Sequence, residues 1–353
     1  MKKIKCAVFG ASGYAGVELA RILANHSKFE LTDVLVSEHS NDANKMLSEL
    51  YPKYSGLLDL TLLPGSDASL QSLTQRFEQA GQGLVFLATP HEFSHDIATS
   101  LASDKITVLD LSGGFRLQNP SLYQEYYGFE HQHQDLLKDI PYGLPEWNAH
   151  SLKGKNLISL PGCYPTASQL AIKPLVLGRL LTDNCVPVIN AVSGVSGAGR
   201  KANLGTSFCE LSLKPYNLFK HRHAPEIAQE VGRKVIFNPH VADFERGIIA
   251  TITMQVKEDT TIEQINAAFE NQYSAQSLVR LKSTVPSIKD VAYTPYCDLY
   301  WQLNGTDLIV VSAIDNVLKG AASQAIQCAN IICGFDHATG LLPEHIINTQ
   351  EQH

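Results

Sequence analysis

The sequence predicts an α/β protein of two domains: a doubly wound parallel sheet, then an α+β domain with a mixed or antiparallel sheet. Three observations lead there. Apolar strand-like runs alternate with amphipathic helical segments as far as Asp110, the pattern of βαβ units. A glycine-rich turn joins the first strand to the first helix. From Val235 onward strand-like runs dominate, with few helical crossovers between them.

The first strand, Ile4 to Phe9, runs straight into Gly10-Ala11-Ser12-Gly13-Tyr14-Ala15-Gly16, and helical periodicity follows at Val17, Leu19, Ala20, Ile22 and Leu23. In that setting Gly10 permits a tight turn, Gly13 close approach to the backbone, and Gly16 packing of helix on strand. Gly10, Ser12, Gly13, Tyr14, Ala15 and Gly16 are therefore candidates to hold a dinucleotide pyrophosphate in a Rossmann-like domain. The spacing is G-x-x-G-x-x-G rather than the strict G-x-G-x-x-G. The second strand, Leu31 to Val36, ends at Ser37-Glu38-His39. A carboxylate at this tip binds a ribose hydroxyl and repels a 2′-phosphate. Ser37, with His39 and Lys45 nearby, favours NADP(H), and Glu38 pulls the other way.

The strand Gly83 to Ala88 leads to Thr89-Pro90-His91-Glu92, which reads as a capping box with Pro90 at the first helical position. A helix, Phe93 to Leu101, and a strand, Ile106 to Asp110, follow. His91 is expected in a loop and His95 on a helix surface. Beyond the strand lies Ser112-Gly113-Gly114-Phe115-Arg116, where Ser112 and Arg116 can meet an anionic group. In the tyrosine-rich stretch that follows, His131 and His133 read as solvated loop residues.

A short apolar run, Asn156 to Ser159, precedes Leu160-Pro161-Gly162-Cys163-Tyr164-Pro165-Thr166, and an amphipathic segment continues to Leu181. A sulfur between a strand end and a helix start lies near unpaired backbone N–H groups, which favour the thiolate. Cys163 is thus the candidate nucleophile. The strand-like run Val186 to Val192 ends in Ser193 to Lys201, where Ser196, Gly197 and Arg200 combine backbone N–H groups with a cation suited to phosphate. His221-Arg222-His223 opens a short helix. On an extended segment the two rings point to opposite sides, so one could face the thiol while the other packs, and they would not share a metal ion. Asn304 to Asp307 marks a hairpin between the last two strands. The closing helix, Leu318 to Ile332, is rich in small residues and ends before Gly334. It is expected to return to the first domain, with Asn316 beside the cofactor. The domains are then 1–160 with 316–353, and 161–315.

The formal net charge of -7 argues against sequence-independent nucleic-acid binding. No apolar run reaches the length of a membrane span, and the N-terminus has no signal-peptide pattern. The seven scattered cysteines, without a Cys-x-x-Cys pair, fit free thiols in a cytoplasm rather than disulfides or a zinc site. No metal is expected.

These pieces together resemble the N-acetyl-γ-glutamyl-phosphate reductases, the arginine-pathway branch of the aspartate-semialdehyde-dehydrogenase-like enzymes. The most specific part is Ile158 to Ala167 with Pro174 following. Gly10 to Gly16, Ser112 to Arg116, Ser193 to Lys201, His221 to Ile227 and Asp315 to Ala322 resemble further blocks of the family in the same order. The Asn-Cys and Ser-Cys-Thr-Thr motifs of its relatives are absent. The resemblance implies NADPH-dependent reduction of a small acyl phosphate, N-acetyl-γ-glutamyl phosphate, to the semialdehyde through a thioester on Cys163. One of His221 and His223 is the acid/base, with His221 taken first and His223 as the alternative. Arg116, Ser112 and Arg200 are the candidates for substrate anions; Ser196, Gly197 and Asn316 join Ser37 and Lys45 as cofactor candidates. A homo-oligomer, dimer or tetramer, is expected. A cysteine hydrolase would leave the glycine turn without a role, and a non-catalytic NADP-binding regulator would not need the Pro-Gly-Cys turn.

Overall fold

The computed structural model describes residues 2–350. Met1 and residues 351–353, which the expected first-domain span includes, lie outside the described residues. The chain divides into two compact units, one running to Pro161 and resuming at Ala321, the other Gly162–Gly320.

The first unit is built on strands β1 (Ile4–Phe9), β2 (Phe29–Val36), β3 (Leu62–Pro64), β4 (Gly83–Leu87), β5 (Ile106–Asp110) and β6 (Leu157–Ser159). They form a six-stranded sheet in the order β3-β2-β1-β4-β5-β6, with every pairing parallel. Helices cover both faces of such a sheet, so β1, β4 and β5 read as continuous apolar runs instead of alternating ones. Phe9, Leu35, Phe77, Val85, Val108 and Leu157 lie in one buried cluster. The order reverses direction at β1 and β4, and the glycine turn leaves the carboxyl end of β1, where doubly wound sheets bind ligands. The helix Ser323–Ile332 packs against the helices Tyr14–Ala24 and Pro145–Leu152, where Gln327 donates to Glu146 at 2.9 Å.

Local detail departs from the sequence reading at one helix start. Pro90 is extended (ψ 151°), so the helix begins at His91 with no side-chain cap. The Thr89 hydroxyl instead meets that of Ser94 at 2.7 Å. The helix Asp67–Ala80, capped by Ser66 through the Ser69 N–H, was not assigned from sequence.

The second unit carries β7 (Val188–Gly194), β8 (Lys214–Pro215), β9 (Ile236–Ala242), β10 (Ile248–Gln255), β11 (Val279–Leu281), β12 (Cys297–Asn304) and β13 (Asp307–Ile314). The sheet runs β11-β12-β13-β10-β7-β9-β8 and is mixed, with β10 antiparallel to both neighbours and β7 parallel to β9. The hairpin closes where Asn304 pairs with Asp307 and Gly305 takes a positive φ of 59°. Along β10 buried and more exposed residues alternate, so one face is covered. The Cys163–Leu177 helix packs on β10 and β13 and carries the nucleophile candidate at its first turn.

Candidate active site

In the first unit, the segment that leads to Cys163 is held from two directions. The Leu160 N–H donates to the Asp110 carbonyl at 2.8 Å, extending the sheet past β6. The Leu160 carbonyl accepts from Arg116 Nε at 2.7 Å. In the second unit, Gly162 is extended and caps the Cys163–Leu177 helix with no side-chain cap and no acid in the first turn. The first-turn N–H groups and the positive end of the helix dipole thus favour a thiolate. Cys163 is partly exposed, while Cys6, Cys185, Cys297 and Cys328 are buried. Burial pushes the Cys6 thiol well above its ordinary range and Cys333 up to about 11, so neither competes as a nucleophile.

Two side chains of the helix His223–Val231 meet Gly162, and His221 stands behind one of them. The His223 ring lies against the Gly162 α-carbon, where an added Cβ would collide with the imidazole. Glu226, fully buried, accepts the Gly162 N–H at 2.8 Å. His221 Nδ1 accepts the His223 backbone N–H at 3.1 Å, so the neutral ring carries its proton on Nε2, which faces Tyr216 Oη at 3.3 Å. Burial, and then the charge of Arg222, lower His221 to about 4, so it is neutral near pH 7. The expectation of opposite faces fails here. Arg222 is helical (φ -57°, ψ -20°), not extended, and the two imidazoles sit 4.8 Å apart. Tyr164 stands edge-on to both, its hydroxyl donating to the His240 carbonyl at 2.7 Å. Burial raises both Tyr164 and Tyr216, keeping them protonated.

Sequence reasoning missed Glu226 and Tyr216. A signal for Glu226 was present: it stands three residues after His223, so the two share a helix face. Among the described residues there is no group of three or more histidine, cysteine and carboxylate side chains placed to hold a metal ion.

The structure brings Ser196 and Asn316 together. The Asn316 amide donates to Ser196 Oγ at 2.9 Å and accepts the Gly247 N–H at 2.7 Å. Gly197 and Arg200 are exposed on the turn that follows.

In the first unit the glycine turn fits a dinucleotide. Gly10 has φ 75°, and a Cβ there would collide with the Ala88 carbonyl. A Cβ on Gly16 would meet the Gly10 carbonyl. A Cβ on Gly13 would approach only the Gly10 oxygen, at 3.3 Å. Gly13 caps the helix Tyr14–Ala24 without a side-chain cap or a first-turn acid, leaving room and N–H groups for a pyrophosphate. Ser37 and Lys45 are exposed beyond β2, with Lys45 Nζ 3.8 Å from Asp42.

The Ser112–Arg116 loop is braced from within. Ser112 donates through N–H and Oγ to the two oxygens of buried Asp110, each at 2.8 Å, and its Oγ accepts the Gly114 N–H. Arg116, 6% exposed, donates to the carbonyls of Leu111 and Leu160, each at 2.7 Å. Histidines complete the brace, contrary to the solvated and surface positions expected for them. His91 Nδ1 accepts the Gly113 N–H, and His131 Nε2 donates to the Gly114 carbonyl at 2.9 Å. His131 is 1% exposed, and burial lowers it to about 4. His95 is buried beside it, accepting the Gln132 N–H.

Residues 5–155 match the semialdehyde dehydrogenase NAD binding domain, and residues 163–316 match the semialdehyde dehydrogenase dimerisation domain. An N-acetyl-γ-glutamyl-phosphate reductase of Pasteurella multocida is 52% identical over 96% of this chain and 99% of its own. One from Vibrio vulnificus is 48% identical over 96% and 100%. Among solved structures, aspartate semialdehyde dehydrogenase II of Vibrio cholerae, complexed with ASA, has TM-score 0.68 at 16% identity, covering 95% of this chain and 99% of that one. The Candida albicans aspartate semialdehyde dehydrogenase with NADP has TM-score 0.65 at 16% identity, covering 94% and 99%. These two likenesses speak to the fold. The parallel nucleotide-type domain, the mixed-sheet domain and the cysteine at a helix start define a semialdehyde-dehydrogenase-type oxidoreductase. Within that class, the chain belongs to the N-acetyl-γ-glutamyl-phosphate reductase family.

Proposed function

We infer that the chain catalyses NADPH-dependent reduction of N-acetyl-γ-glutamyl phosphate to N-acetyl-glutamate 5-semialdehyde, releasing phosphate, as a step of arginine biosynthesis. The observation that carries this reading is Cys163 at an uncapped helix start beside the His223–Gly162 contact.

An acyl phosphate has a good leaving group already attached, and a thiolate is the soft nucleophile that exploits it. Cys163 Sγ attacks the acyl carbon; the C–O bond to phosphate then breaks, leaving a thioester. NADPH, when bound at Gly10 to Gly16, supplies the hydride that reduces this thioester. The C–S bond then breaks, returning the Cys163 thiolate and freeing the aldehyde. His223 is the ring packed on Gly162, and we assign it the proton traffic at the developing oxyanion. His221 orients it through its backbone N–H. Ser37 and Lys45 are assigned to the 2′-phosphate end of the cofactor, and Ser196, Gly197 and Asn316 are proposed as further cofactor-binding residues.

Arg200, exposed beyond that turn, is proposed for a substrate anion. Ser112 and Arg116 are proposed to keep the Asp110–Arg116 loop and Leu160 in place, since Ser112 Oγ donates to the Asp110 carboxylate and Arg116 donates to the carbonyls of Leu111 and Leu160. The unit holding β1–β6 is read as the NADP-binding domain. The unit holding β7–β13 is read as the catalytic and oligomerisation domain of a homo-oligomer, dimer or tetramer. Among the described residues no helix is long and apolar enough to cross a membrane; the free thiols support a cytoplasmic setting. The test is consumption of NADPH on adding the acyl phosphate. No consumption by the intact, folded chain would overturn the reading.

A further inference from the structure

Cys163 has a second glycine against it. An ideal Cβ on Gly320 would lie 2.7 Å from Cys163 Cβ and 3.2 Å from its Cα, far inside ordinary carbon–carbon contact. The bare backbone of residue 320 therefore forms a wall directly behind the nucleophile. That wall belongs to an unusual turn. Gly320 N–H donates to the Asp315 carbonyl at 2.9 Å, five residues back, and residues 318–322 form a π-type turn.

The turn is set by one carboxylate. Asp315, fully buried, accepts the N–H groups of Val317 and Leu318 on Oδ1, each at 2.8 Å. Its Oδ2 accepts the Tyr293 N–H at 2.7 Å and faces Arg246 Nε at 3.3 Å. Arg246 in turn lies over the Tyr293 ring, 4.7 Å from its centroid. Next in the chain, Asn316 ties the turn to Ser196 and Gly247. Three separate segments, at Ser196, at Arg246 with Gly247 and at Tyr293, thus fix where the backbone of Gly320 stands.

We propose that Gly320 and Asp315 are positioning residues for the nucleophile. The wall at Gly320 confines the Cys163 side chain to the mouth of its helix, where the N–H groups favour the thiolate, and Asp315 sets the wall's position. The proposal rests on Cys163 being the nucleophile. A methyl group at residue 320 has to push Cys163 away from that mouth. The thiolate then loses stabilisation, and attack geometry is lost with it.

The test uses the full chain and measures Cys163 alkylation by iodoacetamide across pH, with adducts mapped by mass spectrometry. Exposed Cys209 serves as internal control. In Gly320→Ala the pH midpoint of Cys163 alkylation should rise, and its rate near pH 7 should fall by about tenfold or more. Cys209 should be unchanged. For turnover, kcat should fall by about 100-fold, while KM stays near the parent value. Asp315→Asn keeps the shape but turns one carboxylate oxygen into a donor facing the Tyr293 N–H. It should give the same pattern more weakly, and it stands in if the alanine variant does not fold. Unchanged Cys163 alkylation in the folded variants would overturn the proposal. Cys163→Ser, run in parallel, separates the two ideas: an active serine variant sinks the nucleophile assignment itself, whereas an inactive one alongside a normal Gly320→Ala sinks only the wall.

Discussion

The imidazole of His223 rests on the α-carbon of Gly162, in the space that any side chain at residue 162 would occupy. The contact places a ring nitrogen beside the turn that presents Cys163, while Glu226 holds the Gly162 N–H from the same helix face. Gly162 is therefore glycine because of a close approach, not because of an unusual backbone angle; its φ of -68° suits any residue.

The two histidines should separate by function. His223→Asn should lower kcat by about 10²–10⁴, the usual worth of a positioned acid/base. His221→Asn should cost less, because its ring orients His223 and meets Tyr216. Side-by-side kcat measurements decide it; the reverse order would return the acid/base role to His221.

Arg116 is expected to act on stability more than on substrate binding. Arg116→Met leaves the carbonyls of Leu111 and Leu160 without these donors, at about 1–3 kcal/mol for each buried acceptor left unpaired. Urea unfolding should show the loss. A variant of normal stability with a sharply raised KM would instead make Arg116 a substrate ligand.

Acid should weaken the fold through two buried histidines. His131 and His221 are held near 4, below their ordinary 6.5, so the unfolded chain takes up protons that the folded chain refuses. Their stabilisation is present above about 6.5 and is lost as pH falls toward 4, at a limiting slope near 1.4 kcal/mol per pH unit for each group. Asp110 and Asp315, raised by burial, act with the opposite sign. Comparing His131→Asn with the parent across this range isolates the histidine contribution. Parallel stability curves would refute it.

The cofactor preference should follow the tip of β2. Ser37→Asp places a carboxylate where a 2′-phosphate is expected, so kcat/KM for NADPH should fall by more than about tenfold while that for NADH changes little. An unchanged ratio between the two cofactors would remove Ser37 from the site.

What was legible in the sequence was local. The apolar runs of β1, β4 and β5 and the glycine turn are read directly, because a parallel strand buried on both faces and a tight turn each demand particular residues at particular positions. The place of the Pro-Gly-Cys turn at a helix start was equally plain, since it is written in adjacent residues. Contacts distant in sequence were not. His131 looks like a solvated loop residue until the Gly114 carbonyl, seventeen positions earlier, is seen to accept a hydrogen bond from its ring N–H. His221 and His223 were misjudged because one helical residue, Arg222, turns an alternating pair into neighbours. Thr89 was misread as a cap because Pro90 stays extended. The helix Asp67–Ala80 did carry a signal, with Leu70, Leu73 and Phe77 on one face and Ser66 ahead of it.

The central claim is that Cys163 carries the acyl group. Intact-protein mass spectrometry, after mixing the chain with the acyl phosphate in the absence of cofactor, tests it most directly. The predicted result is an acyl adduct that maps to Cys163 alone and is absent from Cys163→Ser, whose hydroxyl is far less acidic than a thiol. That variant should also lose several powers of ten in turnover while still binding NADPH. An adduct on Cys6, Cys209 or Cys297, or near-normal turnover by Cys163→Ser, would contradict the account.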